Sequence, residues 1–370
     1  MALSLENVSK KVGEETHINN VSLQLEPGTI NVLLGLTLSG KTSLMRLMAG
    51  LDRPTSGRVL ARGSDVARIP VRKRNVAMVY QQFINYPSLT VYENIASPLR
   101  LLKMDRQEID RRVRLEAERM GIEHLLERLP DELSGGQQQR TAMARALVRD
   151  ADAVLLDEPL VNLDYKLREA LRNELRDIFR DRGCVVVYAT TDPWEALALG
   201  GRTAVLHEGR LIQFGETPAV YAEPANQTVA RVFSDPPMNL INGFLEPDRV
   251  RFSDGEAFAQ PAHLETLPPG DYAFGLRPYH LSLKRSNDAE QRIVTTVDVS
   301  EISGSETYIH FRLDGRPCVA VQEGVHSFGV DQEVELFFHP KRLFAFDRNE
   351  QLVAAPDSAT DQEETGHGQN

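Results

Sequence analysis

The chain has 370 residues and a mass of 41.4 kDa, which predicts two or three domains and excludes a small disulfide-stabilised scaffold. Its 42 Lys and Arg residues against 53 Asp and Glu residues give a formal net charge of -11, which argues against a protein that coats nucleic-acid phosphates. The two cysteines, Cys184 and Cys318, form no Cys-x-x-Cys or His/Cys cluster, so neither a disulfide framework nor a zinc site is expected.

The N-terminal segment lacks the apolar core of a signal peptide. No stretch of the chain approaches the ~18 uncharged apolar residues needed to span a bilayer. We therefore expect a cytoplasmic chain, whose membrane role would come through partners.

In the first 210 residues, short apolar runs alternate with patterns of helical period. This alternation predicts an α/β domain with a buried, largely parallel sheet. Strands are predicted at 29–34, 153–156 and 184–189. The segment 106–129 predicts two amphipathic helices broken near Gly121.

After about residue 233 the chain changes character, beginning with the Pro-rich joint SDPPMN. Beyond it lie short alternating segments separated by Gly, Pro, Asp and Asn, and they predict a second, all-β domain. The strands are expected at 272–278, 293–302, 307–313 and 333–340. The tail at 356–370 is acidic and almost without apolar residues, so we expect it to be disordered.

The segment GLTLSGKT at 35–42 matches the phosphate-binding pattern G-x-x-x-x-G-K-[ST]. It follows the apolar run NVLL and precedes the helical run TSLMRLMAG, which is the context that the pattern requires. Backbone N–H groups at a helix start cradle phosphates. Lys41 is placed to reach the β- and γ-phosphates, and the Thr42 hydroxyl is placed to ligate Mg²⁺. The predicted nucleotide contacts are Gly35, Leu36, Thr37, Leu38, Ser39, Gly40, Lys41, Thr42 and Ser43.

A second apolar run, AVLL, ends in the adjacent carboxylates Asp157 and Glu158. Beside a phosphate loop, such a pair predicts a catalytic role. Asp157 is expected to hold Mg²⁺ through water, and Glu158 to polarise the attacking water.

The segment LSGGQ at 133–137, followed by QQRTAMARAL and then AVLLDEP, resembles the signature of ATP-binding-cassette (ABC) ATPases. The segment VYQQFINYPSLTVYENIASPL resembles the glutamine-loop region of carbohydrate-importer ATPases of the maltose and glycerol-phosphate type. The later segments SDPPMN, FGLRPYHL and SEISGSETYIHF are similar to the regulatory domain of those subunits.

The resemblance implies an α/β P-loop NTPase domain of the ABC ATPase type with a helical subdomain, followed by an all-β, OB-fold-like regulatory domain. The implied boundaries are 1–235 for the nucleotide-binding domain, with its helical subdomain at about 85–150, and 236–355 for the regulatory domain.

The resemblance also implies roles for particular residues. Gln81 would sense Mg²⁺ and the γ-phosphate, which gives a metal set of Thr42, Gln81 and Asp157. The signature would contact the nucleotide of the opposite protomer, and a later loop would link the two sites. The signature residues are Ser134, Gly135, Gly136 and Gln137, and the residue of the later loop is Asp164.

Four departures from the family pattern affect this site. Thr191 stands where the family has a histidine that contacts the γ-phosphate, and a Thr hydroxyl cannot carry a positive charge. Leu36, Thr37 and Leu38 replace Pro, Ser and Gly, so a side chain stands where unusual backbone dihedrals are expected. Val12 stands in the position of an aromatic that stacks on adenine, and Val161 in that of a small polar residue.

These departures lie in the half-site of this chain's own phosphate loop, whereas the signature is intact. The favoured interpretation is an importer ATPase paired with a second, different ATPase subunit, so that one composite site is weak. The alternatives are a homodimer with slow turnover and a non-hydrolysing regulatory nucleotide-binding module. A soluble ABC protein of translation or DNA repair is disfavoured, because the chain has neither a second cassette nor a long coiled-coil insertion.

The implied cofactors are ATP and Mg²⁺. The implied partners are two integral membrane permease subunits, with a periplasmic or lipid-anchored solute-binding protein acting through them, and no nucleic acid. The expected location is the cytoplasmic face of the bacterial inner membrane, and the implied substrate is a carbohydrate, a polyol such as glycerol, or a sugar phosphate.

Overall fold

A computed structural model describes residues 3–82, 84–161, 165–180, 182–253 and 257–357, with the backbone alone at 165–167 and 180. The chain divides into two compact units, one ending at Thr217 and the other beginning at Pro218. No helix within these residues is long and apolar enough to cross a membrane.

The first unit contains ten strands and six α-helices among the described residues. The strands are β1 (Leu3–Val12), β2 (Glu15–Leu25), β3 (Ile30–Leu34), β4 (Ser56–Ala61), β5 (Ser64–Asp65), β6 (Val76–Val79), β7 (Ala153–Asp157), β8 (Val185–Thr190), β9 (Arg202–His207) and β10 (Arg210–Glu216). The α-helices are α1 (Lys41–Ala49), α2 (Val91–Leu101), α3 (Arg106–Arg119), α4 (Gly135–Leu147), α5 (Tyr165–Arg180) and α6 (Pro193–Leu199). Short 3-10 helices lie at Val71–Lys73, Glu123–Leu125 and Pro130–Glu132.

Two sheets form this unit. One is antiparallel, in the order β2-β1-β4-β5, and the other has the order β10-β9-β3-β8-β7-β6 with parallel pairing from β9 to β6. The predicted strands at 29–34, 153–156 and 184–189 are confirmed as β3, β7 and β8. These strands are buried along their length because a parallel sheet is covered on both faces.

The register of the parallel sheet brings several chain segments to one edge. Leu34 at the end of β3 pairs with Thr190 at the end of β8, and Asp157 at the end of β7 pairs with Ala189. Since the carboxyl ends of parallel strands share an edge, the phosphate loop, the carboxylate pair and the Thr191 segment meet there.

A hydrophobic core joins the two sheets of this unit to α1. It contains Val8 and Ile18 from the antiparallel sheet, Leu155 and Val187 from the parallel sheet, and Leu44 from α1, each at 0% exposure. Burial of these residues anchors α1, and with it the phosphate loop that immediately precedes it.

The predicted helical segment at 106–129 is confirmed only in its first half. Helix α3 ends at Arg119, and Gly121 has a φ of 64°, a left-handed conformation that terminates a helix. The second predicted helix is wrong, because the chain continues as the single 3-10 turn Glu123–Leu125.

The second unit contains two short helices and ten strands among the described residues. They are α7 (Thr217–Ala222), α8 (Gln227–Val232), β11 (Asn239–Leu245), β12 (Arg249–Phe252), β13 (Ala257–Ala259), β14 (Gly270–Leu276), β15 (Gln291–Ser303), β16 (Glu306–Leu313), β17 (Arg316–Glu323), β18 (Glu333–Phe338), β19 (Phe344–Phe346) and β20 (Leu352–Ala354). Further 3-10 helices lie at Ala262–Leu264, Pro278–His280 and Pro340–Arg342.

The strand pairs that the structure describes in this unit are antiparallel, in two sheets of order β13-β12-β11-β14-β19-β20 and β17-β16-β15-β18. The four predicted strands are confirmed as β14, β15, β16 and β18. The inward faces of the two sheets form a core rich in aromatic side chains, including Phe252, Phe274, Phe311 and Phe338. This arrangement confirms the predicted all-β domain.

The boundary between the units lies earlier than residue 235, where the sequence pattern placed it. The segment after Thr217 bonds to the β-rich unit, since Gln227 N donates to Glu350 O and Leu352 N donates to Ala225 O. The Arg277 guanidinium also donates to Tyr221 O at 2.6 Å. The Pro-rich joint therefore lies inside the second unit. Of the predicted tail, 358–370 lies outside the described residues.

Candidate active site

The phosphate loop bends back on its own lysine. Lys41 is the first residue of α1 and is only 4% exposed. Its Nζ donates to Gly35 O at 2.7 Å and to Leu36 O at 3.2 Å, and it lies 3.2 Å from Glu158 Oε1. The loop therefore holds a positive charge at its centre, with backbone N–H groups of the helix start around it.

Two further features of the loop suit phosphate. Gly35 leaves no room for a side chain, because a Cβ there would lie 2.4 Å from Leu206 O. Ser39 is buried, and within the described part of the chain its Oγ has no hydrogen-bond partner. A buried hydroxyl lacking a partner is costly, so this group is available to bond a phosphate oxygen.

Leu38 has a φ of 68° and is 95% exposed. The expectation of an unusual dihedral at this position is confirmed. A left-handed conformation costs a non-glycine residue roughly 1–2 kcal/mol, and an exposed leucine gains no burial in return. Leu36 is exposed as well, at 57%, so two apolar side chains project from the loop.

The carboxylate pair lies directly against this loop. Thr42 Oγ1 donates to Asp157 Oδ1 at 3.1 Å. Gln81 Nε2 donates to Glu158 Oε2 at 3.4 Å, which leaves the other oxygen of Glu158 facing Lys41. Glu158 has a φ of 45°, and a strained backbone at such a position is typical of a functional site.

Burial sets the protonation tendencies of this cluster. It raises the pKa of the Asp157 carboxyl, against the hydrogen bond from Thr42, which lowers it. Burial also lowers the pKa of the Lys41 ammonium, while the neighbouring Glu158 raises it. Each charged group is thus desolvated and depends on its partners to remain ionised.

Asp157→Asn is expected to stabilise the protein against unfolding when no nucleotide is added, by about 1 kcal/mol or roughly 2–4 °C at neutral pH. Because the pKa of Asp157 is raised in the folded state, the folded protein binds its proton more tightly than the unfolded chain does. Wild-type stability should therefore fall, relative to the variant, as the pH rises through the interval between those two pKa values. Thermal melting from pH 4 to pH 8 measures this difference.

The matched control is Asp152→Asn, just before the same strand. The Asp152 carboxylate pairs with Arg62 at 2.7 Å, so its loss should give no gain in melting temperature. A melting temperature for Asp157→Asn below that of the wild type at every pH would contradict the assignment of burial as the dominant cause of the raised Asp157 pKa.

Thr191 is partly buried and immediately follows β8. A buried carboxylate stabilises the chain beside it: Glu195 Oε2 accepts from Thr190 Oγ1 at 2.6 Å and from Tyr188 Oη at 3.0 Å. Burial raises the pKa of Glu195. These bonds join the end of β8 to α6 on either side of Thr191, whose catalytic role stays a prediction.

The signature residues lie at the start of α4. Ser134 is the N-cap, with its Oγ accepting from Gln137 N at 3.4 Å, while Gln137 Oε1 accepts from Ser134 N at 3.0 Å. Gly135 and Gly136 form the first turn. This reciprocal capping leaves small residues at a helix N-terminus, which suits a phosphate supplied from outside.

Most of the predicted site residues line one cavity of about 680 Å³. Its lining includes these predicted residues: Thr37, Leu38, Ser39, Gly40, Lys41, Thr42, Ser43, Gln81 and Glu158. Gly35, Leu36 and Asp157 adjoin them in the loop and strand. Three predicted parts of the site lie outside the described lining: Val12, Thr191 and the signature. Val12 is at the end of β1 and is 51% exposed. Asp164 lies outside the described residues.

Five further lining residues were not predicted from the sequence. Glu15, Thr16 and His17 come from β2, and Glu208 and Gly209 from the turn between β9 and β10. No motif marks these positions in the sequence. The hydrogen bonds from Asn19 N to Gly209 O and from Gly209 N to Ser39 O tie the two segments to the loop.

A phosphate loop, a carboxylate pair at the end of a neighbouring strand and a glutamine bonded to that pair define a nucleoside-triphosphate hydrolase of the P-loop class. Residues 18–161 match the ABC transporter family (ABC_tran), and residues 274–346 match the TOBE domain (TOBE_2).

Relatives match nearly the whole chain. The trehalose/maltose import ATP-binding protein MalK of Thermococcus litoralis is 38% identical, covering 93% of this chain and 97% of its own. The sn-glycerol-3-phosphate import ATP-binding protein UgpC of Brucella abortus is 37% identical over 90% and 93%, and the sulfoquinovosyl glycerol transport ATP-binding protein SmoE of Agrobacterium fabrum is 33% identical over 94% and 97%.

Among solved structures, the ATP-binding cassette MJ0796, a dimer in a post-hydrolysis state bound to ADP and Pi, matches with a TM-score of 0.53 at 30% identity. The match covers 58% of this chain and 98% of that one. The chain belongs to the family of ABC transporter ATP-binding subunits of the MalK and UgpC type. It is a transport ATPase that binds ATP, with an ABC ATPase domain and a C-terminal TOBE domain, as the resemblance implied.

Proposed function

We propose that this chain is the ATP-hydrolysing subunit of a bacterial importer for a carbohydrate, a polyol such as glycerol, or a sugar phosphate. It works as a peripheral subunit at the cytoplasmic face of the inner membrane, beneath two permease subunits that receive substrate from a solute-binding protein. The observation that carries the proposal is the extent of similarity: an import ATP-binding protein matches 93% of the chain, so both units are shared.

The chain's own residues account for the chemistry. Lys41, buried and aimed at the loop carbonyls, stabilises negative charge on the β- and γ-phosphate oxygens. Glu158 orients and polarises the water for in-line attack on the γ-phosphate, with Gln81 bonded to its second oxygen.

The residues fit a magnesium ion. Thr42 Oγ1 and Asp157 Oδ1 are 3.1 Å apart at the edge of the sheet, and hydroxyl and carboxylate oxygens are the ligands that Mg²⁺ prefers. We assign these two groups, with Gln81, to its binding. Bound there, Mg²⁺ would neutralise charge on the phosphates.

Uptake by the native host tests the substrate class. A strain lacking this chain should lose uptake of one labelled compound among maltose, trehalose, glycerol and glycerol 3-phosphate. The wild-type gene should restore it. Unchanged uptake of these four compounds and of the other carbohydrates, polyols and sugar phosphates that the host imports would contradict the proposed class.

We further propose that this chain pairs with a second, different ATPase subunit, leaving one weak composite site. The departures Thr191, Leu36 and Leu38 all belong to the half-site of its own phosphate loop, and Leu38 holds a left-handed backbone there. The signature, by contrast, keeps a regular N-cap at Ser134. The competent site would join this signature to the partner's phosphate loop.

Thr191→His in the purified complex is expected to raise the rate of ATP hydrolysis on the order of tenfold at the weak site. An imidazole reaches farther than a hydroxyl and carries a positive charge when protonated, so it can contact the γ-phosphate. Steady-state phosphate release, with the partner's own phosphate-loop lysine replaced, isolates this site.

Thr191→Asn is the matched control, because its side chain is polar and close in length to that of histidine but carries no charge. The rate of ATP hydrolysis in this variant should stay at the wild-type value. Equal rates for wild type and Thr191→His would place the defect in the loop leucines or on the adenine side. A homodimer with slow turnover remains the alternative, as does a subunit that only holds nucleotide.

A further inference from the structure

A buried carboxylate on α6 bonds the end of β8. Glu195 is 4% exposed, and the two residues whose hydroxyl groups reach it are also buried, Tyr188 at 1% and Thr190 at 3% exposure. Both hydroxyls donate to the same oxygen, Glu195 Oε2, at 3.0 Å and 2.6 Å. They converge on one atom because alternate residues of a strand project from the same face. Glu195 therefore fastens the end of β8 to α6.

The end of β8 also makes backbone bonds to two parts of the candidate active site. Ala189 O accepts from Glu158 N at 3.0 Å, and Thr190 O accepts from Gly35 N at 3.4 Å. Glu158 has a φ of 45°, a strained conformation that persists only where the surrounding structure maintains it. A shift of the end of β8 would therefore move the Glu158 carboxylate relative to the phosphate loop.

The hydroxyl of Thr190 is held from two sides. Thr190 Oγ1, which donates to Glu195, also accepts from Asp192 N at 3.0 Å. Asp192 Oδ1 in turn accepts from Glu195 N at 3.4 Å. These three bonds form a closed ring between the end of the strand and the first turn of α6. Loss of the Glu195 side chain would open this ring.

We propose that Glu195 is a positioning residue for ATP hydrolysis, which acts through Thr190 to hold the end of β8 where the backbone of Glu158 is bonded. Glu195 lies outside the described lining of the nucleotide cavity. The phosphate loop has a further anchor, since Lys41 Nζ donates to Gly35 O at 2.7 Å. The inference rests on the proposed role of Glu158, and it predicts an effect on the rate of hydrolysis rather than on ATP binding.

Glu195→Ala tests the inference in the purified complex, with the partner's phosphate-loop lysine replaced so that only this chain's own site turns over. Phosphate release at saturating ATP should slow about tenfold, while the affinity for ATP, measured by calorimetric titration, stays within about twofold. Glu195→Gln keeps a carbonyl oxygen that can accept from both hydroxyls, so its rate should lie within about twofold of the wild-type rate.

Thr190→Val carries the test should the alanine variant not fold. Valine has nearly the shape of threonine and lacks the hydroxyl that reaches Glu195. Phosphate release in this variant should slow as in Glu195→Ala. Two groups that act through one bond do not contribute independently, so the double variant should be no slower than the slower of the two single variants.

Glu116→Ala is the matched control for the loss of a buried carboxylate. Glu116 is also 4% exposed and accepts from Arg182 at 2.6 Å and 2.8 Å. Neither residue belongs to the described lining of the nucleotide cavity. The substitution leaves a partly buried arginine without its partner, so the melting temperature should fall. Phosphate release by the folded complex should stay at the wild-type rate.

Four results would overturn the inference: a wild-type rate in folded Glu195→Ala, a wild-type rate in Thr190→Val, a loss of ATP affinity as large as the loss of rate, or a rate in Glu195→Gln as low as in Glu195→Ala. A wild-type site that hydrolyses no ATP would instead contradict the proposed role of Glu158. That result is distinguishable from the other four because it appears before any substitution is made.

Discussion

Glu158→Gln is expected to retain ATP binding at the wild-type affinity while hydrolysis at this chain's own site falls at least about a hundredfold. The carboxylate is the group that can accept a proton from the attacking water, and an amide cannot. An amide of the same shape still occupies the space beside Lys41 and Gln81, so the loop should keep its geometry. Phosphate release and ATP titration measure the two effects on the same purified complex, in which the partner's phosphate-loop lysine is replaced so that only this chain's own site turns over.

The chain offers a close control in Glu208→Gln. Glu208 lines the same cavity and has nearly the same backbone, with a φ of 46° against 45° for Glu158. Its carboxylate approaches His207 rather than Lys41, and its side chain is 84% exposed. This variant should hydrolyse ATP at the wild-type rate. If Glu158→Gln were equally active, Glu158 would not be the catalytic carboxylate.

Lys41→Met is expected to weaken ATP binding at least about a hundredfold. The substitution removes a buried ammonium that bonds two loop carbonyls and faces Glu158. With the lysine gone, Glu158 is left opposite the phosphates without a compensating charge, and both groups are destabilised. Calorimetric titration with ATP measures the loss, and thermal melting shows whether the variant is folded.

Lys10→Met serves as its control, because the Lys10 ammonium donates to Arg53 O in an exposed setting. ATP affinity should be unchanged there. A folded Lys41→Met variant with wild-type ATP affinity would show that the loop binds phosphate without its lysine, which would contradict the site as described.

The parts of the site that are local in sequence could be predicted, and the parts that depend on packing could not. The phosphate loop and the carboxylate pair were predictable because each follows an apolar strand, and parallel strands share the edge where they end. The backbone strain at Leu38 was predictable from a missing glycine.

His17 and Glu208 could not be predicted in this way. They reach the cavity because a turn between β9 and β10 hydrogen-bonds both to the loop and to β2. These bonds join segments that are far apart in the chain. Nothing in the local sequence of either segment indicates such a bond.

The boundary between the units is another feature that the local sequence does not predict. A Pro-rich joint is a reasonable sign of a linker, yet α8 bonds to the chain at Glu350, far beyond that joint. The second helix predicted after Gly121 failed for a related reason. Leu125 and Leu126 are buried, so a short 3-10 turn suffices to place them in the core without a full helix.

The native mass and subunit composition of the detergent-solubilised complex, purified through a tag on this chain, test the proposed assembly most directly. We predict two membrane subunits with one copy of this chain and one copy of a different ATPase. Two copies of this chain beneath the membrane subunits would contradict the asymmetric pairing and make Thr191 a tolerated residue of two identical sites. Recovery of this chain with no membrane protein would contradict its role in import.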